Sequence, residues 1–104
     1  MPTVALFARL EAKPGKEAAL RGLLEQGLEL ANKEKTTPVW FALKLGPGTF
    51  AIFDAFEDEA GRQTHLNGPI ARALMTHGPD LLAAPLTIEP LEVIGAKLPE
   101  LVAR

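Results

Sequence analysis

Residues 50–68 read FAIFDAFEDEAGRQTHLNG, and within this stretch the pattern changes from a strand to a helix. Phe50, Ile52, Asp54 and Phe56 alternate with Ala51, Phe53 and Ala55, the period-two pattern of a strand. Glu57, Asp58 and Glu59 then put negative charge where the dipole of a following helix favours it, and EDEAGRQTHL continues as a short helix. Just upstream, Val39–Leu45 is a second alternating run, separated from the first by Gly46-Pro47-Gly48. These glycines tolerate positive φ and the proline cannot continue a ladder, so the two runs form a hairpin.

Further out, residues 3–11 (TVALFARLE) alternate Val4, Leu6, Ala8 and Leu10 against Thr3, Ala5, Phe7, Arg9 and Glu11. Ala5 and Phe7 in the second set imply that both faces of the sheet are at least partly covered. Pro14-Gly15 ends this strand, and Ala19, Leu20, Leu23, Leu24, Gly27, Leu28 and Ala31 recur at helical spacing, which predicts an amphipathic helix over about residues 15–32. It ends in the charged stretch NKEKTT. After the short helix, Asn67-Gly68-Pro69 restarts a helical piece with Ile70, Ala73, Leu74 and Leu81 facing inward, and Gly78-Pro79 is expected to bend or interrupt it. TIEPLEVIG, residues 87–95, is the last strand; its Pro90 cannot donate to a ladder and prefers an edge or a bulge.

The order strand, helix, strand, strand, helix, strand is that of an α+β, ferredoxin-like βαββαβ fold: a four-stranded antiparallel sheet with helices on one face. The expected organisation is one domain over residues 1–104, with a core of about 3–94 and a tail over 95–104. The helix-free face is expected to carry Ala5, Phe7, Trp40, Ala42, Ala51, Phe53 and Ala55, or the complementary set. Either choice leaves an apolar surface that predicts a homodimer packed sheet against sheet.

At 104 residues the chain can bury about 65% of its unfolded surface in a single core. With no Cys, neither a disulfide framework nor a sulfur-bound metal is available. Lys and Arg number 11 against 13 Asp and Glu, net charge −2, which argues against a nucleic-acid partner. No apolar run approaches the ~20 residues of a membrane span and no leader pattern opens the chain, so a cytoplasmic location without membrane contact is expected.

Together AKPGKE, the stretch FAIFDAFEDEAGRQTHLNG and LLAAPLTIEPLEV resemble the antibiotic biosynthesis monooxygenase (ABM) superfamily of dimeric α/β-barrel proteins, over roughly residues 3–94. In that family the third strand typically ends in an acidic residue, one intervening position and an aromatic, followed by an acidic helix start and a histidine; here these positions are Asp54, Phe56, Glu57–Glu59 and His65. Phe56 stands where tryptophan is commoner, and Thr37-Pro38-Val39 replaces the usual opening of the second strand. The resemblance implies oxidation of small phenol- or quinol-type aromatics by O₂ with neither metal nor organic cofactor. Related haem-degrading enzymes use a histidine on the later helix, but the matching position here is near Met75, and His77 is two residues away, about 200° round the helix.

Two residues are the catalytic candidates. With an ordinary pKa of ~6.5, His65 can take a proton from a phenol or hold a developing oxyanion; the alternative is a structural hydrogen bond tying its helix to the sheet. Asp54 can act as base or orient His65, or else make a structural bond to backbone or to Arg9. Trp40, Phe53 and Phe56 are candidates to line a pocket for a planar ring, with plain core or dimer contact as the alternative. Asn67 and Arg72, with Arg9, could donate to a phenolate or quinone oxygen, or lie at the surface. His77 is about 120° round from His65 and makes no metal pair with it. Two functions follow: a cofactor-independent monooxygenase, or a non-catalytic dimeric ligand-binding or stress-associated module using the same pocket.

Overall fold

The computed structural model describes residues 1–99. Four strands, β1 (Val4–Glu11), β2 (Val39–Lys44), β3 (Thr49–Phe56) and β4 (Thr87–Glu92), alternate with helices α1 (Glu17–Ala31), α2 (Glu59–Leu66) and α3 (Pro69–Leu81) in the expected order. The strands pair antiparallel in the order β2-β3-β1-β4, with helices on one face, the ferredoxin-like arrangement. Residues 100–104, the end of the expected tail, lie outside the described residues.

Each boundary has a local cause. Gly15 takes φ +85 in the turn that releases β1 into α1, a conformation that favours glycine. Asp58 is the N-cap of α2 and accepts from the Gly61 N–H at 2.9 Å. Pro69 opens α3 in the first turn, where its missing N–H costs nothing. Contrary to expectation, Gly78-Pro79 does not interrupt α3. Pro79 stands so near the end that only the bond to the Met75 carbonyl is given up, and the Leu82 N–H still reaches the Gly78 carbonyl at 2.8 Å. Pro90 lies on β4, an edge strand, as its missing donor requires.

The core fills the space between helices and sheet. Leu10 and Leu20 are fully buried there, with Phe50, Ile52, Ile70 and Leu74 around them, each large apolar side chain contributing about 1.5–3 kcal/mol. Register decides which side chains share this face. Leu6 lies opposite Asp54, Ala8 opposite Ile52, and Trp40 opposite Asp54. The expected grouping of Trp40 and Ala42 with Phe7 and Phe53 is therefore corrected: Trp40 and Ala42 face the helices, and Val39, Phe41 and Leu43 take their places on the open face. Trp40 meets α1 where glycine permits close approach, since a Cβ on Gly27 would lie 3.2 Å from Trp40 Cζ2.

Among the described residues, no helix is long and apolar enough to cross a membrane.

Candidate functional site

The alternation of β3 that buries Phe50, Ile52 and Phe56 also turns Asp54 toward the helices, leaving the residue 2% exposed in an apolar layer. Burial of a carboxylate is costly unless it is paired. The partner is His65, seven residues beyond the Asp58 cap, on the same face of α2 as Gly61, and also buried. His65 Nε2 lies 2.9 Å from Asp54 Oδ2.

The other ring nitrogen is also engaged. His65 Nδ1 lies 2.7 Å from Glu34 Oε1, and the same oxygen accepts from Thr37 Oγ1 at 2.6 Å. Glu34 comes from the loop after α1, which packs closely over α2: a Cβ on Gly61 would meet the Thr36 carbonyl at 3.0 Å. The Phe56 ring completes the surround, its centroid 5.3 Å from that of His65.

Only an imidazolium donates at both nitrogens. Burial pushes His65 toward the neutral form, but the hydrogen bonds and negative charges of Asp54 and Glu34 outweigh it, and its pKa is raised above the ordinary value. With both carboxylates ionised the cluster holds one positive and two negative groups. Asp54 Oδ1 and Glu34 Oε2 accept no hydrogen bond among the described residues, and the buried Trp40 Nε1 donates none. Buried polar atoms of this kind are rare in folded proteins.

Asp54 and His65 face a cavity of about 250 Å³ between the sheet and α3. Leu6, Ala8 and Ile52 form its floor, Ile70, Ala71 and Leu74 its roof, and among the described residues Asp54 and His65 are the ionisable side chains in its wall. It is an apolar chamber with one polar end, the usual construction of a small-molecule site. Among the described residues, no group of three or more His, Cys, Asp or Glu is arranged to hold a metal ion.

The other residues singled out in the sequence do not meet here. Phe53 is on the open face of the sheet, opposite Phe7 and Phe41. Phe56 is fully buried and touches the site only through the His65 ring. Trp40 borders a separate void of about 30 Å³ beside α1. Asn67 caps α2, bonding to the Gln63 carbonyl, while its own carbonyl accepts from Arg72 at 3.1 Å; both side chains are exposed or at the surface. Arg9 pairs with Glu11 on the open face, not with Asp54. His77 is exposed on α3 and is not in the cavity wall, whereas Met75 is. Glu34 and Thr37 are the members of the cluster that sequence reasoning missed.

Neither a family model nor a curated protein matches the chain. Among solved structures, NE2512, a protein of unknown function from Nitrosomonas europaea, is 60% identical, with TM-score 0.94 over 96% of this chain and 97% of that one. The chain belongs to the family of NE2512. The family's fold is that of the ABM proteins. A candidate antibiotic biosynthesis monooxygenase from Nitrosomonas europaea superposes with TM-score 0.80 at 14% identity, over 88% of this chain and 99% of that one. Another, from Deinococcus radiodurans, gives 0.75 at 22% identity over 95% and 99%. The likeness expected from residues 50–68 is thus present as a shared fold.

Proposed function

We propose that this protein is a homodimeric, cofactor-independent monooxygenase that oxidises a small phenol- or quinol-type aromatic in the cavity beneath α3. One observation carries the reading: the Asp54–His65 pair is the polar end of an otherwise apolar chamber.

A ring seated in the chamber turns its hydroxyl toward the Asp54 carboxylate in the wall, which accepts the proton. His65 has both nitrogens occupied, so it acts through Asp54: it fixes the carboxylate, and its charge offsets the negative charge that grows on the ring as the proton leaves. The electron-rich ring then reduces O₂ and forms a carbon–oxygen bond to it. Loss of water leaves one oxygen atom as a ring carbonyl, so a phenol and O₂ give a quinone and H₂O with all four electrons drawn from the substrate. Asp54 as proton acceptor is worth about 10²–10⁴-fold in rate.

The dimer reading is supported by the helix-free face. Phe41 is 54% exposed and Leu43 40%, beside Phe7 and Phe53. Contiguous apolar surface of this kind marks an interface, and a two-fold axis makes it self-complementary.

The test is oxygen uptake with a panel of anthrone-type, phenol and quinol substrates after chelator treatment. Turnover that survives chelation supports the reading; binding without any turnover supports a ligand-binding module instead.

A further inference from the structure

We propose that the cavity is the inner half of a longer site, built for an aromatic ring that carries an apolar chain, with the ring at Asp54 and the chain along α3 toward the α3–β4 loop. This rests on the reading of the Asp54 chamber as the seat of the ring.

A second cavity, about 450 Å³, adjoins the first and shares Leu74, Met75 and Leu86 with it. Its other walls come from the last turn of α3 and the loop to β4, including Gly78, Pro79, Leu82 and Ala84. Among the described residues, no side chain in that wall is charged or a hydrogen-bond donor, so the wall is built for an apolar group.

The two lobes run in one direction. Ala71 lines the first and Pro79 the second, eight residues apart on one helix, which is about 12 Å along its axis. That exceeds a single ring and suits a ring with an alkyl chain. Met75, 77% exposed, stands in the wall of both lobes, and its flexible thioether adapts to a chain passing it. The outer lobe lies on the helix side of the sheet, so sheet-to-sheet dimerisation leaves it open.

The experiment is calorimetric titration of the full chain with para-ethyl-, para-butyl- and para-hexylphenol, one molecule binding per chain. Affinity is expected to rise roughly two-fold per added methylene, about half the gain of full burial because the outer lobe is open on one side. Ala84→Glu, at an exposed position where folding tolerates a charge, is expected to abolish the gain for the longer phenols and leave para-ethylphenol unchanged. Ala84→Leu is expected to keep the gain. Affinity independent of chain length, a gain unaffected by Ala84→Glu, or no binding at any length would each overturn the proposal. Oxygen uptake with short-chain substrates tests the ring site separately, so failure of the chain site is told apart from failure of the ring site.

Discussion

Glu34 and His65, 31 residues apart in sequence, meet at 2.7 Å through Oε1 and Nδ1, and so fasten the loop after α1 to the helix that supplies the site. Because the opposite ring nitrogen bonds Asp54, Glu34 governs the orientation of a group that it shares with the sheet.

Removing Glu34 therefore leaves His65 Nδ1 and the Thr37 hydroxyl without their shared acceptor. Glu34→Ala is expected to destabilise the protein by about 1–3 kcal/mol, the range for leaving a buried donor unsatisfied, with Glu34→Gln milder because an acceptor remains. Urea denaturation of both variants measures this. Equal and negligible effects would mean that the contact carries no stability.

The pH dependence has a definite sign. His65 has a raised pKa when folded, so the stability it contributes is fully present below about pH 6.5 and is lost as pH rises through the folded value. Glu11 acts in the opposite sense: the Thr49 hydroxyl holds its carboxyl low, a contribution present above the ordinary carboxylate range and lost on acidification. Melting temperature is thus expected to fall on the alkaline side of pH 6.5, and His65→Gln to flatten that limb. A wild-type limb already flat there would contradict the assignment of an imidazolium.

The fold was legible because each element has a local signature: alternation over residues 50–56, an acidic helix start at Asp58, a proline opening α3. What was not legible depended on register and on distance. β2 reads VWFALK and is apolar on both faces, so nothing within it shows which way Trp40 points; only the pairing of Trp40 with Asp54 across the hairpin settles it. Glu34 sits in a charged run that looks like any solvated helix end. Its role arises from Gly61, where the Thr36 carbonyl approaches so closely that the loop is pressed onto α2. The resemblance points to Asp54 and His65 as positions, while their contact is one of two readings open for Asp54; Phe53 lies on the open face of the sheet.

That close approach is itself testable. Gly61→Ala would set a Cβ 3.0 Å from the Thr36 carbonyl, a backbone atom that cannot swing away, and is expected to cost about 1–3 kcal/mol and to loosen the Glu34–His65 bond. Thermal unfolding gives the first quantity and the titration of His65 followed by NMR the second, its pKa falling toward ~6.5 as the contact weakens. An unchanged histidine titration would separate the loop from the site.

The open sheet face is expected to hold two copies together. Phe41→Glu puts a charge on the apolar surface at its most exposed phenylalanine and should shift the sedimentation mass from dimer to monomer at micromolar concentration, with the far-ultraviolet spectrum retained. A wild-type chain that sediments as a monomer would refute this interface.

The central claim is that Asp54, held by His65, is the group that meets the substrate's hydroxyl. It is tested most directly by substrate-dependent oxygen consumption in wild type and Asp54→Asn, with folding of the variant checked by its melting curve. A loss of about a hundred-fold or more in the rate, in a variant that remains folded, is the predicted result; a rate equal to wild type would place the chemistry elsewhere in the molecule.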